Sequence, residues 1–147
     1  MKIALVCSHG GHLTEILYLM EAFQDHEIFF ITYNNFRTLN LGYRKYLLEN
    51  IGTSPLKMTK AFFQIFKIFR KEKPGIIIST GSEIAIPAFF IAKPLRIRTM
   101  FIESWCRVKT KSGTGKIVYY LSDEFLVQWP ELLEVYGDKA QYRGAVI

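Results

Sequence analysis

The sequence predicts an α/β fold in which a doubly wound parallel sheet carries helices on both faces. Two observations predict it. Short β-branched or aromatic runs alternate with segments of helical periodicity along the whole chain. The runs IALV, IFFI and GIIIS are apolar without a polar alternate, as expected for strands that helices cover on both sides. With 147 residues, 50% of them hydrophobic, residues 1–147 have the size of a single domain with one buried core.

The predicted elements follow one another from the amino terminus. Strands are predicted over residues 2–8, 27–32, 75–80, 98–104 and 124–129, and a last one over 141–147. Helices are predicted over residues 13–23, 60–71, 84–91, 115–121 and 130–136. The last helix starts with Pro130, where the missing N–H costs nothing. In the least regular segment, 33–58, we predict a helix over 39–50 and a short strand before Lys57.

Charge and cysteine content narrow the class of protein. The 19 basic residues exceed the 13 acidic ones, and the net charge of +6 favours an anionic partner such as phosphate, nucleic acid or an acidic membrane face. Cys7 and Cys106 show no metal-ligand spacing, so we expect free thiols in a reducing compartment. The apolar run at the amino terminus is too short for a signal peptide or a membrane span. We expect a cytoplasmic protein that is at most peripheral to a membrane.

The turn after the first predicted strand, residues 8–12, is the most informative local feature, and we call it the glycine loop. It consists of Ser8, His9, Gly10, Gly11 and His12. Backbone N–H groups and the start of a helix meet there, at the sheet edge where open α/β sheets bind ligands, and this geometry suits a phosphate or a diphosphate. The alternative is that the paired glycines only make a tight turn.

A second turn, residues 81–83, follows the strand GIIIST. Gly81, Ser82 and Glu83 precede an apolar helix with Pro87 in its first turns, so the backbone can approach a ligand there as well. For Ser82 alone, an ordinary helix N-cap is the alternative.

Familiar nucleotide motifs are absent from the sequence. The first strand is not followed by G-x-G-x-x-G, and the second ends in TYNN without the acid that would hold a ribose. The string SGTGK, residues 112–116, lacks the first glycine of a P-loop, and Ile117 follows its lysine. We therefore expect no nicotinamide or other cofactor. No RNA- or DNA-binding motif accompanies the basic charge, and no nucleic-acid partner is expected.

The glycine loop also carries the candidate catalytic group. His9, His12 and Glu15 are either a metal set or a base with supporting groups, in which Glu15 shapes the site. A fourth ligand is not nearby, so no metal is expected. A histidine titrates close to neutral pH, so His12 or His9 can accept a proton from a substrate hydroxyl. The alternative is that both histidines bind phosphate oxygens or cap the helix.

Glu103 interrupts a basic region at the carboxyl end of a predicted strand. Arg107 follows four positions later in ESWCR, and a charge pair that shapes the site is predicted. For Glu103 alone, a purely structural ion pair is the alternative.

The segment 57–73 combines a basic stripe with bulky apolar residues. Lys57, Lys60, Gln64, Lys67 and Lys71 follow three- and four-residue steps. A basic helix with aromatic residues suits the interface of an anionic membrane, with Phe62, Phe66, Phe69 and Lys67 as the predicted contacts. The alternative is an ordinary helix that packs on the sheet and exposes its polar stripe.

Several strings, taken together, resemble one known family. SHGGHLTE, STGSEIAIP, FIESWCRV, TGKIVYYLSDEFLVQWPEL and YRGAVI occur in this order. They are similar to the acceptor-half subunit of the UDP-GlcNAc transferase of N-glycan assembly, the ALG-fourteen family, and to its bacterial relatives in capsule and exopolysaccharide synthesis. The resemblance runs nearly end to end and is weakest over residues 33–73.

This resemblance implies a Rossmann-like fold like the N-terminal, acceptor domain of a GT-B glycosyltransferase. It implies a heterodimer, in which a small UDP-sugar-binding partner chain completes the active site. The reaction would be inverting transfer of a sugar, N-acetylglucosamine by resemblance, to a polyprenyl- or dolichyl-diphosphate-linked sugar. By similarity to the peptidoglycan GlcNAc transferase, the acceptor's diphosphate would lie between the glycine loop and the turn 81–83, with His12 as base.

Two further expectations follow from the resemblance. Eukaryotic members carry an N-terminal membrane helix that this sequence does not show, which favours a bacterial or archaeal source. Recruitment to the cytoplasmic face of the membrane would then depend on segment 57–73, with the apolar helix 84–91 as a second candidate. A competing hypothesis is a membrane-recruiting scaffold that activates the partner without a catalytic residue of its own.

Overall fold

The computed structural model describes residues 1–146, and within them seven strands form one sheet. The strands are β1 Lys2–Val6, β2 Glu27–Tyr33, β3 Lys45–Leu48, β4 Ile76–Ser79, β5 Arg98–Ile102, β6 Glu124–Val127 and β7 Ala140–Tyr142. Their order is β3-β2-β1-β4-β5-β6-β7, and neighbouring strands run parallel. The chain winds outward in one direction from β1 to β3 and in the other from β4 to β7, so the strand order reverses between β1 and β4.

Helices connect the strands. They are α1 Gly11–Leu17, α2 Phe36–Leu39, α3 Pro55–Glu72, α4 Ala85–Leu95, α5 Gly113–Val118 and α6 Leu132–Tyr136, with a 3₁₀ turn at Met20–Phe23. The long helix α3 has clear end signals: Ser54 accepts a hydrogen bond from the N–H of Lys57, Pro55 opens the first turn, and Lys73 ends the helix in the left-handed conformation with φ 51°.

The sheet is buried on both faces, as the uninterrupted apolar strands predicted. On one face Ala4 and Val6 of β1 belong to the larger core cluster, which contains buried residues of α3, α4, α5 and α6. On the other face Ile3 and Leu5 pack with Leu13 and Ile16 of α1. Neighbouring residues of one strand thus face two different helix layers, which explains the absence of polar alternation.

The prediction for segment 33–58 is wrong. The predicted helix over 39–50 does not form: a short helix ends at Leu39, and residues 45–48 form β3 beside β2. The strand of this segment thus lies earlier than predicted, and Lys57 is already in α3. A capping box, in which Asn35 accepts from the N–H of Arg37 and the side chain of Thr38 accepts from the N–H of Asn35, starts α2 early. Tyr46 in KYLL suits a strand, and residues 45–48 gain ladder hydrogen bonds by pairing with β2, which local helix propensity does not anticipate.

The other elements occur where predicted, with shifted ends. The helix predicted over 13–23 stops at Leu17 and continues as the 3₁₀ turn, α3 begins at Pro55, and α6 begins at Leu132. The last strand covers residues 140–142, and Ile147 of the predicted strand 141–147 lies outside the described residues.

A buried carboxylate joins the amino end of the sheet to α3. Glu72 accepts hydrogen bonds from Lys2 at 3.1 Å and from the hydroxyl of Tyr46, and its second oxygen lies 2.6 Å from the guanidinium of Arg44. Its side chain is only 2% exposed. Burial alone raises the pKa of Glu72, but the hydrogen bonds from Tyr46 and Lys2 and the charge of Arg44 outweigh it and hold the pKa below its usual value.

Candidate functional site

A cleft of about 590 Å³ opens at the carboxyl edge of the sheet, where the strand order reverses. Ligands of open α/β sheets bind at such a switch point. Three connections converge on it: those after β1 and β4, and the one that leads from β5 into the start of α5. The lining residues are Gly11, His12, Thr14, Glu15, Gly81, Ser82, Ser104, Trp105, Cys106, Arg107, Ser112, Gly113 and Thr114.

His12 is held in one orientation by the chain segment that follows β4. Its Nδ1 lies 2.9 Å from the carbonyl oxygen of Thr80, and the hydroxyl of Thr80 donates back to the carbonyl of His12 at 2.6 Å. A carbonyl oxygen only accepts, so Nδ1 carries the hydrogen. In the neutral ring, Nε2 is therefore the proton acceptor of a side chain that lines the cleft.

Gly81 lets the two turns approach one another. A Cβ at this position would lie 2.6 Å from Cε1 and 2.8 Å from Nδ1 of His12, and φ of Gly81 is +132°, a value that side chains disfavour. The glycine predicted from the sequence thus makes room for the imidazole ring.

Ser82 is also in an unusual backbone conformation, with φ 79°. Its hydroxyl donates to one oxygen of Glu83 at 2.8 Å, and the hydroxyl of Tyr33 donates to the other at 2.9 Å. Burial and the hydrogen bond to Glu83 raise the pKa of Tyr33. Helix α4 starts after Ile84 without a side-chain cap, so the alternative of an N-cap by Ser82 is wrong.

Glu15 is buried beside His12, with 4% of its surface exposed. One carboxylate oxygen accepts from the N–H of Trp105 at 2.7 Å and from the amide of Gln128 at 2.8 Å. The other oxygen lies 3.7 Å from Nδ1 of His12. The same Gln128 amide also donates to the carbonyl of Glu103 at 3.0 Å, so α1, the β5 loop and β6 are joined at one point.

The predicted charge pair between Glu103 and Arg107 is wrong. The buried carboxylate of Glu103 accepts from the N–H of Ser112 at 3.1 Å, from its hydroxyl at 2.9 Å and from the hydroxyl of Tyr136. Burial and the hydrogen bond to Glu103 raise the pKa of Tyr136. Four hydrogen-bond donors close to the carboxylate satisfy it without the guanidinium, and Arg107 lines the cleft instead.

The first three residues of the glycine loop are not part of the cleft lining. These residues, Ser8, His9 and Gly10, are half-buried. The guanidinium of Arg37 donates to the carbonyl of Gly10 at 3.1 Å and to the hydroxyl of Thr14 at 2.9 Å, which fixes the loop from the side of α2. Nδ1 of His9 is buried and has no hydrogen-bond partner within residues 1–146.

Sequence reasoning missed three residues of this region. Trp105 and Gln128 follow β5 and β6, and the rule that places ligands at the carboxyl ends of parallel strands could have singled out both. Arg37 lies in the segment whose elements were predicted wrongly, and no motif marks it.

A second surface, which we call the aromatic-basic surface, covers the outer sides of α3 and α4. Phe63, Phe66 and Phe90 are 66%, 41% and 45% exposed. Lys60, Lys67, Arg70 and Lys93 are exposed on the same two helices. The predicted membrane contact at Phe69 is wrong, because this side chain is 1% exposed in the core; Phe62 is half-buried.

Two further properties hold for residues 1–146. No three histidine, cysteine or acidic side chains there come together in a group that could hold a metal ion. None of the helices in this range has both the length and the apolar character that crossing a bilayer requires.

The sheet and its cleft define a Rossmann-like domain of the GT-B type found in glycosyltransferases and sugar epimerases. MurG from Acinetobacter baumannii superimposes with a TM-score of 0.80 and 16% identity over 97% of this chain. The UDP-GlcNAc 2-epimerase from Methanocaldococcus jannaschii gives a TM-score of 0.76 and 20% identity over 97% of this chain. The chain spans 45% of each of these two solved chains.

Residues 44–146 match the family described as "Oligosaccharide biosynthesis protein Alg14 like", and the chain belongs to this family. The human protein named UDP-N-acetylglucosamine transferase subunit ALG14 is 28% identical over all of this chain and 83% of its own length. The protein of the same name from Saccharomyces cerevisiae is 24% identical over all of this chain and 77% of its own length. The family predicted from the motifs is confirmed.

Proposed function

We propose that this chain is the acceptor-binding subunit of a two-component, inverting UDP-sugar glycosyltransferase. It would transfer N-acetylglucosamine to a polyprenyl- or dolichyl-diphosphate-linked sugar in oligosaccharide or polysaccharide biosynthesis. One observation carries the proposal: His12, with Nδ1 bonded to Thr80 and Nε2 left as acceptor, lines a cleft formed by both glycine turns.

The cleft has the chemistry of a diphosphate site. Gly11, Gly81 and Ser82 present backbone without bulky side chains, and the cation of Arg107 lines the same space. Ser8, His9 and Gly10 would hold the other two residues of the glycine loop, Gly11 and His12, in place at the cleft. This arrangement would hold the diphosphate and leave the acceptor sugar beside His12.

In the proposed step, the attacking hydroxyl of the acceptor gives its proton to Nε2 of His12. The oxygen forms a bond to the anomeric carbon of the UDP-sugar, and the bond from that carbon to the phosphate oxygen breaks. UDP leaves with the electron pair, and the configuration at the anomeric carbon inverts. This chain supplies the base and the acceptor site.

The UDP-sugar would come from a second, small glycosyltransferase subunit in a heterodimer. One observation supports this division: the relatives are named subunits of a UDP-N-acetylglucosamine transferase. The chain alone would then be inactive.

Because the acceptor carries a lipid, the chain would work at a membrane surface, on its cytoplasmic face. The aromatic-basic surface supports it, because exposed phenylalanines between cations suit the interface of an anionic bilayer. We propose peripheral binding through Phe63, Phe66 and Phe90 together with Lys67.

The test uses UDP-N-acetylglucosamine as donor and a short-chain prenyl-diphosphate N-acetylglucosamine as acceptor. We expect no transfer by the purified chain and transfer once the partner subunit is added. His12→Ala should lower kcat of the complex by a factor on the order of 100. His26→Ala, an exposed histidine outside the cleft, is the matched control and should keep full activity. Transfer by the isolated chain would overturn the division of labour, and full activity of His12→Ala would favour the scaffold hypothesis.

A further inference from the structure

Glu15 and Gln128 lie next to His12 and have no role in the proposed reaction as described above. Glu15 is 4% exposed and Gln128 is 2% exposed, so both polar groups depend on protein partners. The amide of Gln128 and the N–H of Trp105 both donate to the same oxygen, Oε1 of Glu15. The carboxylate is thereby fixed by two elements that come 90 and 113 residues later in the chain.

This arrangement directs the second oxygen toward the candidate base. Oε2 of Glu15 lies 3.7 Å from Nδ1 of His12, the nitrogen that carries the hydrogen. When Nε2 takes up a proton, the ring becomes a cation beside a carboxylate that solvent hardly reaches. The attraction is strongest in the protonated state, which forms only as the reaction proceeds.

We propose that Glu15 is the charge partner of His12, and that Gln128 is a positioning residue that holds Glu15 in place. This inference rests on the proposed function, since it requires His12 to accept a proton. It assigns Glu15 a role in turnover and none in binding the acceptor. Glu15 acts through His12, so the two substitutions should not be independent.

The experiment is a double-mutant cycle in the active complex with the same donor and acceptor probes. Glu15→Gln preserves shape and can still accept from Trp105 and Gln128. We expect it to lower kcat by a factor on the order of 10 to 100 and to leave KM for the acceptor within about 2-fold. In the His12→Ala background the same substitution should cause no further loss.

Glu103→Gln is the matched control, because Glu103 is equally buried but contacts Ser112 and Tyr136. If Glu103→Gln lowers kcat, the fold-loss in the double variant with His12→Ala should be the product of the two single fold-losses. Glu15→Asp, which keeps the charge, should recover part of the activity lost in Glu15→Gln and serves the cycle if the glutamine variant does not fold. Gln128→Met should also lower kcat, and its loss should disappear in the Glu15→Gln background.

Multiplicative losses for Glu15→Gln and His12→Ala would overturn the inference, and so would a loss confined to KM. Failure of the proposed function looks different: the wild-type complex would then show no transfer at all.

Discussion

Gly81 packs against the imidazole ring of His12 so closely that a Cβ atom at residue 81 would lie 2.6 Å from Cε1 of the ring. The second turn therefore sets the position of a side chain in the first. Together with the hydrogen bond from Nδ1 of His12 to Thr80, this contact makes the two glycine turns one unit.

Gly81→Ala should displace His12. The new methyl group needs space that the ring occupies, and φ of +132° is strained for alanine, at a cost of about 1 to 3 kcal/mol of stability. A shift of the base by about 1 Å is expected to lower transfer by a factor on the order of 100. Steady-state kinetics of the complex would measure this. Gly42→Ala, where a Cβ meets nothing within 4 Å, should leave kcat unchanged, and equal kinetics for the two variants would contradict the prediction.

Tyr33→Phe tests whether the hydrogen bond from Tyr33 to Glu83 stabilises the turn 81–83. The hydroxyl of Tyr33 donates to Glu83, which in turn accepts from Ser82. Its removal takes one donor from a half-buried carboxylate, so we expect a loss of about 2 kcal/mol in denaturant unfolding. Since the turn would bind the acceptor's diphosphate, KM for the acceptor should rise while kcat changes little.

Tyr120→Phe is the control for this variant, because Tyr120 is 77% exposed. It should match the wild type in both measurements. A fall in kcat at constant KM for Tyr33→Phe would show that Tyr33 does not act through acceptor binding.

Glu72→Gln should reveal a pH-dependent part of the stability. The pKa of Glu72 is lower in the folded chain than its usual value of 4.5, so the unfolded state binds the proton first as the pH falls. The ion pairs with Lys2 and Arg44 thus stabilise the fold fully above pH 4.5, and this stabilisation is lost as the pH falls through the lowered pKa.

Urea unfolding at several pH values provides the measurement. At neutral pH the variant should lose about 2 kcal/mol, and the difference from wild type should shrink below pH 4.5. Glu49→Gln, which removes exposed ion pairs to Lys57 and Lys60, should cost less than about 1 kcal/mol. A difference for Glu72→Gln that stays constant down to acid pH would contradict the assignment.

Flotation with liposomes tests the aromatic-basic surface. Phe63→Ser combined with Phe66→Ser removes exposed apolar area and should lower binding to anionic vesicles by a factor on the order of 10. Binding should also weaken with salt, because the flanking lysines and arginines attract the lipid charge. Tyr18→Ser, an exposed aromatic residue of another face, is the control. Equal flotation of all three proteins would remove this surface from the proposal.

Sequence patterns predicted the sheet well because they are local. Apolar runs of four or five residues report that a strand is covered on both faces, and the alternation with helices implies parallel strands. The prediction for segment 33–58 failed for two reasons. Asn35 and Thr38 form a capping box, whose effect depends on side-chain hydrogen bonds. In addition, β3 pairs with β2 only within the folded sheet.

The glycine turns were predictable for a similar reason. Each directly follows an apolar strand, and the carboxyl ends of parallel strands share one edge, so the presence of both turns at one cleft follows from topology. The burial of Phe69 was not predictable in this way. On a helix that is apolar over most of its circumference, periodicity does not tell which aromatic faces the sheet and which faces outward.

The sequence by itself determined the doubly wound parallel sheet, the position of both glycine turns and the family, since these depend on residues close together in the chain. Tertiary structure alone decided which nitrogen of His12 carries the hydrogen, that Glu103 bonds to Ser112 and Tyr136 instead of Arg107, and that Gln128 holds Glu15. The partners of His12 and Glu15 are 68 and 113 residues away. Such pairs form only when packing brings buried polar groups together and leaves them no water to bond to.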